Sequence, residues 1–184
     1  MRTVAVGLLV LIAFADMAPV CAQGLNLLRN GGFEEGGVPY WGVTGTAQRL
    51  ERGDWHPHTG KWAFGIGNDS GMQDAFGAIA QEVDLSGTAV VGRKCVFTVW
   101  LLTEPDHSGS LLMKMEFLDS EGKVLREVSR PAAGSMKQGW RPSRIYGLVP
   151  AGATRVRVVF ADERMKSGRG QSFVWIDDAE VVVD

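Results

Sequence analysis

Glycine punctuation restricts this chain more than any other feature. Its 24 glycines fall mostly between short apolar runs, and no stretch holds a capped helical period over three turns. That is the pattern of many short strands joined by turns. Strands are expected over residues 62–65, 79–85, 94–103, 110–119, 123–129, 141–148, 154–161 and 172–183. Asp119-Ser120-Glu121-Gly122 reads as a hairpin turn between two of them. Such spacing predicts an all-β, two-sheet antiparallel sandwich.

Alternation sorts the faces of these strands. Cys95, Phe97, Val99 and Leu101 share one face, opposite Val96, Thr98, Trp100 and Leu102. Leu111, Met113, Met115 and Phe117 oppose Lys114 and Glu116, and Val156, Val158 and Phe160 oppose Arg155 and Arg157. The apolar set is buried and the other exposed. Were the exposed faces to form one concave sheet, Trp100, Lys114, Glu116, Arg155 and Arg157 would line it together. That arrangement suits a sugar: the C–H face of a pyranose packs on an aromatic ring, and its hydroxyls need fixed polar partners. Candidate ligand residues are therefore Trp55, in a Gly-Asp-Trp-His-Pro-His loop, with Trp100, Glu116 and Arg157. Trp41, Trp140 and Trp175 are expected in the core.

The last strand carries an anomaly. Asp177 and Asp178 interrupt Phe173-Val174-Trp175-Ile176 and Ala179-Glu180-Val181-Val182-Val183. Neighbours in a strand point to opposite faces, so one carboxylate must face inward. A buried carboxylate needs a cation, an Arg or several backbone N–H groups. Asp177 is expected on the same face as Ala179 and Val181, with Asp178 capping a loop or facing solvent. A carboxylate near the first strand, Glu34, would meet Asp177 if those strands lie together. The pair would suit a hard cation such as calcium, which takes oxygen ligands.

Five motifs in order resemble the galactose-binding-like jelly roll of carbohydrate-binding modules of families 4, 9, 16 and 22. They are Asn26-Leu-Leu-Arg-Asn-Gly-Gly-Phe-Glu34, His58-Thr-Gly-Lys-Trp-Ala63, Ile79-Ala-Gln-Glu-Val-Asp-Leu85, Trp140 with Val149-Pro-Ala-Gly-Ala153, and Trp175-Ile-Asp-Asp-Ala-Glu-Val181. The resemblance implies non-catalytic sugar binding and a structural calcium. Carried over residue by residue, its ligands would be Glu34 and Asp177, with backbone carbonyls around Thr59 to Lys61.

Residues 1–22 read as a secretory signal peptide: Arg2, an apolar run from Val4 to Ala15, then Val20-Cys21-Ala22. The run is too short to span a membrane, which takes about 20 residues. Residues 23–184 make one domain, secreted or periplasmic. Cys95 is then left without a disulfide partner and reads as a small core residue. The net charge of −2 argues against nucleic acid and anionic membranes. His56-Pro57-His58 reads as a turn rather than a metal pair. Two other functions stay open: a structural or adhesion sandwich binding a protein, and a jelly-roll glycoside hydrolase or polysaccharide lyase. A poly- or oligosaccharide is the expected partner; modules that resemble this chain usually accompany a catalytic domain, and a separate enzyme or cell-surface partner stays open.

Overall fold

The computed structural model describes residues 24–47, 49–68, 74–86, 89–104, 107, 109–132, 139–165 and 172–184. The expected signal peptide and its Cys21 lie outside them. Ten strands form: β1 (Gly42–Gly45), β2 (Arg49–Gly53), β3 (Ala63–Asn68), β4 (Ala75–Asp84), β5 (Lys94–Thr103), β6 (Ser110–Leu118), β7 (Val124–Pro131), β8 (Arg141–Leu148), β9 (Arg155–Met165) and β10 (Ser172–Val183). They pair antiparallel into two sheets. The first runs β1-β4-β9-β6-β7 and the second β2-β3-β10-β5-β8. The expected sandwich is therefore the fold. No helix among the described residues is long and apolar enough to cross a membrane.

Eight strands sit on the expected stretches. β1 and β2 were not expected, and their sequences show why: Gly-Val-Thr-Gly and Arg-Leu-Glu-Arg-Gly carry almost no apolar alternation. Both are edge strands, each paired on one side only. An edge strand buries little, so it needs little pattern. The Asp119 hairpin forms as expected. Asp119 Oδ1 accepts from the amides of Glu121 and Lys123, and Gly122 takes φ +88°.

The alternating apolar sets meet between the sheets. Phe97, Val99 and Leu101 of β5 face Met113, Met115 and Phe117 of β6 and Val156, Val158 and Phe160 of β9, all within 2% of complete burial. Cys95 is part of this core, and burial pushes its thiol up to about 12, which makes it inert as a nucleophile. The N-terminal segment completes the second sheet. β3 pairs with β10 only as far as Ile176. Beyond it, Gly31 O accepts from Ala179 N, and Leu27 N donates to Val181 O. The Asn26 side chain joins in, accepting from Val181 N and donating to Ala179 O.

Candidate functional site

The outer face of the second sheet is closed by its own side chains. The outward positions of β3 are Gly65 and Gly67, which leave a trough beside β10. Trp175 and Phe173 fill it. A Cβ on Gly65 would come within 2.8 Å of the Trp175 ring, and one on Gly67 would overlap the Phe173 ring. The two rings lie parallel, 6.4 Å apart. Trp175 is buried as expected, but on this outer face rather than between the sheets. Trp41 is in the core, and Trp140 is only half-buried.

Asp177 departs from the expected alternation. The register of β10 against β5 shifts between Asp177 and Glu180, and Asp178 takes φ +43°. This bulge inserts one residue. Asp177 therefore lies across from Trp100, facing outward, while Ala179 and Val181 turn inward. Asp177 is nonetheless fully buried, because the turn from His58 to Trp62 folds over it. Its Oδ2 accepts from the amides of His58 (2.8 Å) and Thr59 (3.1 Å), and its Oδ1 from that of Asp178 (2.7 Å). Asp178 accepts from Thr59 Oγ1 (2.8 Å) and sits 2.6 Å from His58 Nδ1. Glu34 Oε1 accepts from the amides of Lys61 (2.8 Å) and Trp62 (2.9 Å). Gly60, at φ +62°, lies against this carboxylate where a side chain would collide.

Glu34 and Asp177 thus each bind the turn between His58 and Trp62. What the turn presents to the two carboxylates is N–H. Burial pushes the Asp177 carboxyl up to about 6, with the charge of Asp178 adding to the push and the three amides opposing it. Among the described residues no three His, Cys, Asp or Glu side chains converge as a metal-holding group. The same turn lays the His58 ring on Trp100, with centroids 3.9 Å apart and planes 18° off parallel. Trp140 lies 5.5 Å from His58. Trp100 is half-buried as a result. Trp55, farther along the loop, is 65% exposed.

The outer face of the first sheet is open. Ala78 and Ala80 of β4, Val159 of β9 and Leu112 of β6 form a half-buried floor. A row of charges crosses one end of it, on β4, β9 and β6. Arg157 donates from Nε to Glu82 Oε1 (2.9 Å) and from Nη1 to Glu116 Oε2 (3.1 Å). Lys114 Nζ lies 2.9 Å from the other Glu116 oxygen, and Arg155 donates to Glu82 Oε2 at 2.9 Å. The Arg157 guanidinium holds the Glu82 carboxyl below its ordinary value, and Glu116 raises the Lys114 ammonium. Glu116, expected exposed, is only 7% exposed, because its neighbours on both sides cover it.

The expected grouping of Trp100 with Lys114, Glu116, Arg155 and Arg157 therefore fails. β5 belongs to the second sheet, and β6 and β9 to the first. Trp100 and the charged row point away from each other, on opposite sides of the sandwich. His58 was missed as a functional residue. The sequence marked it only as part of a turn and of a family-like motif, because its partner Asp178 lies 120 positions away.

No family model matches the chain, and no curated protein matches its sequence. Solved structures do match its fold. A family 61 carbohydrate-binding module in complex with β-1,4-galactotriose superposes with a TM-score of 0.59 at 22% identity, over 86% of this chain and 99% of that one. A family 22 xylan-binding domain from Paenibacillus barcinonensis gives 0.56 at 13%, over 87% and 95%. The enzymatically active domain of a bacteriophage CBA120 tailspike gives 0.64 at 17%, over 86% of this chain. This chain spans only 21% of that tailspike chain. What these proteins share with the present one is the jelly-roll sandwich.

Proposed function

We propose that this protein is a secreted, non-catalytic domain that holds an oligo- or polysaccharide across the outer face of its first sheet. The observation that carries this reading is the fixed polar row over a half-exposed floor of small residues. A sugar offers C–H faces to such a floor and hydroxyls to such a row. Glu116 and Arg157 keep their expected ligand roles. Trp100 does not, since His58 already occupies its ring face. Trp55 stays available at the margin of the opposite face. Similarity of fold to a galactotriose-bound module and a xylan-binding domain supports the reading. Non-catalytic action is supported by the state of the carboxylates. Glu82 and Glu116 are both tied to the Arg157 guanidinium rather than free to flank a scissile bond.

A structural calcium belongs to the same proposal. Asp177 and Asp178 form a buried and half-buried acidic pair whose partners among the described residues are amides, a hydroxyl and a histidine. A hard cation would relieve that charge. Glu34 and Asp177 would hold it, with main-chain oxygens at Thr59 and Lys61. Its work would be to pin the turn that covers the second sheet. A protein-binding role, the alternative, would draw on the exposed Tyr146 and Leu148 of β8.

Affinity electrophoresis through soluble polysaccharides, with calcium and with chelator, tests both parts. Retardation by a polymer class is expected, together with a melting temperature several degrees lower in chelator. A well-folded protein retarded by no polymer would sink the sugar reading. An unchanged melt in chelator would sink the cation.

A further inference from the structure

The open face carries an aromatic ring at the end opposite its charged row. Phe76, near the start of β4, is 47% exposed. Alternation along β4 puts it on the same face as Ala78, Ala80 and Glu82, since Gly77 faces inward against Ile66 and Leu50. Its backbone is clamped. Phe76 O accepts from the amides of Thr46 and Ala47, both at 2.9 Å. Gly45, at φ +132°, lets that turn close against the Phe76 carbonyl, where any side chain would collide. A bulge between Ala75 and Gly77 sets Phe76 off from the regular pairing with β9. A large exposed ring on so fixed a backbone is a platform rather than a frayed edge.

Beside the ring lies a pocket of about 360 Å³, lined by Asp74, Ala75, Phe76 and Glu163. Glu163 is exposed on β9, two positions along from Ala161 and on the same face. From Phe76 to Glu82 the strand advances roughly 20 Å, at about 3.3 Å per residue. The floor between them is Ala78 and Ala80. The face is therefore a groove with a ring and carboxylates at one end, and an ion-paired row of Arg, Lys and Glu at the other.

We infer that Phe76 and Glu163 form a second sugar subsite, and that the ligand is an uncharged oligosaccharide long enough to reach from it to Arg157. The inference rests on the sugar reading of this face. A ring stacks on a pyranose C–H face. A carboxylate accepts from two sugar hydroxyls and has no donor for an anionic group. Glu163 therefore disfavours uronates at this end. At the other end Arg157, Arg155 and Lys114 each hold an ion pair with Glu82 or Glu116, so among the described residues each cation of the row is already engaged. A groove of this length favours a chain over a single sugar.

Titration calorimetry of the mature protein with galacto- and xylo-oligosaccharides of increasing length tests this, with polygalacturonate oligomers as the acidic control. Affinity is expected to rise with length and to favour the neutral series. Phe76→Ala should weaken binding of the longer oligomers about ten-fold, Phe76→Tyr should restore it, and Glu163→Gln should weaken it less. None of these should shift the melt appreciably, because the side chains are largely exposed. If the wild type binds and Arg157→Ala weakens it, but both Phe76→Ala and Glu163→Gln bind as wild type at every length, the second subsite is wrong and the sugar reading stands. Tighter binding of the acidic series would overturn the ligand class. No binding of any oligomer would overturn the subsite and the sugar reading together.

Discussion

The two outer faces of this sandwich are built from similar strands and end up opposite in character. The second sheet has four of the six tryptophans, Trp55, Trp100, Trp140 and Trp175, on or beside its outer face, yet it is the closed one. Its rings cover glycines, its carboxylates cap main-chain amides, and His58 lies over Trp100. The first sheet has no tryptophan on its outer face, yet it is the open one. Aromatic content alone therefore does not locate a binding face. A ring is available to a ligand only if the protein has not already used it. On the second sheet it has, because Gly65 and Gly67 invite Trp175 and Phe173 inward.

The comparison breaks most visibly at Asp177. Asp177→Ala would leave the amides of His58, Thr59 and Asp178 without their acceptor. The expected cost is about 3 kcal/mol, read by denaturant unfolding. A loss below about 1 kcal/mol would mean the turn is held by something else. The open face should respond in the opposite way, through binding and not stability. Arg157→Ala is expected to abolish polysaccharide retardation at a much smaller cost in stability than Asp177→Ala, since its pair with Glu82 is solvent-screened and Glu116 keeps Lys114. Trp100→Ala should do the reverse, costing about 1–2 kcal/mol of packing while leaving retardation intact. Loss of retardation in Trp100→Ala, with the fold retained, would exchange the roles of the two faces.

The smallest expected difference is in pH dependence, measured in chelator. The folded Asp177 carboxyl titrates near 6 against an ordinary value of 3.8. The unfolded chain loses that proton first, so stability should fall as pH rises from about 4 through about 6. The Glu82 carboxyl is lowered in the fold. Its contribution is present above the ordinary glutamate range and fades as pH falls through the folded value. The closed face thus loses stability towards neutral pH and the open face towards acid. Asp177→Asn should flatten the first trend and leave the second. A profile with no fall between pH 4 and 6 would mean that Asp177 is ionised without penalty.

Part of the candidate site was legible before the fold was known. Glu34, Asp177 and the turn at Thr59 and Lys61 were grouped from motifs along the chain, and both carboxylates do bind that turn. Glu116 and Arg157 were marked by their polar place in apolar strands, and they do share a face. The errors have a common source. The Asp177 face was wrong because a single inserted residue in β10 inverts alternation, and an Asp-Asp pair does not announce a bulge. Phe76 went unnoticed because its strand was expected to begin at Ile79, beyond the bulge that displays the ring.

Local pattern determined that this chain makes short strands, which side of most strands is apolar, and that the result is a sandwich. Those follow from two-residue periodicity and glycine spacing, which each strand carries within itself. Only the tertiary structure decided which strands share a sheet. Pairing joins residues up to 155 positions apart, as in Asn26 with Val181, and a strand's own sequence does not name its neighbour. That assignment sent Trp100 to one side of the molecule and Arg157 to the other, closing one face and leaving the other open.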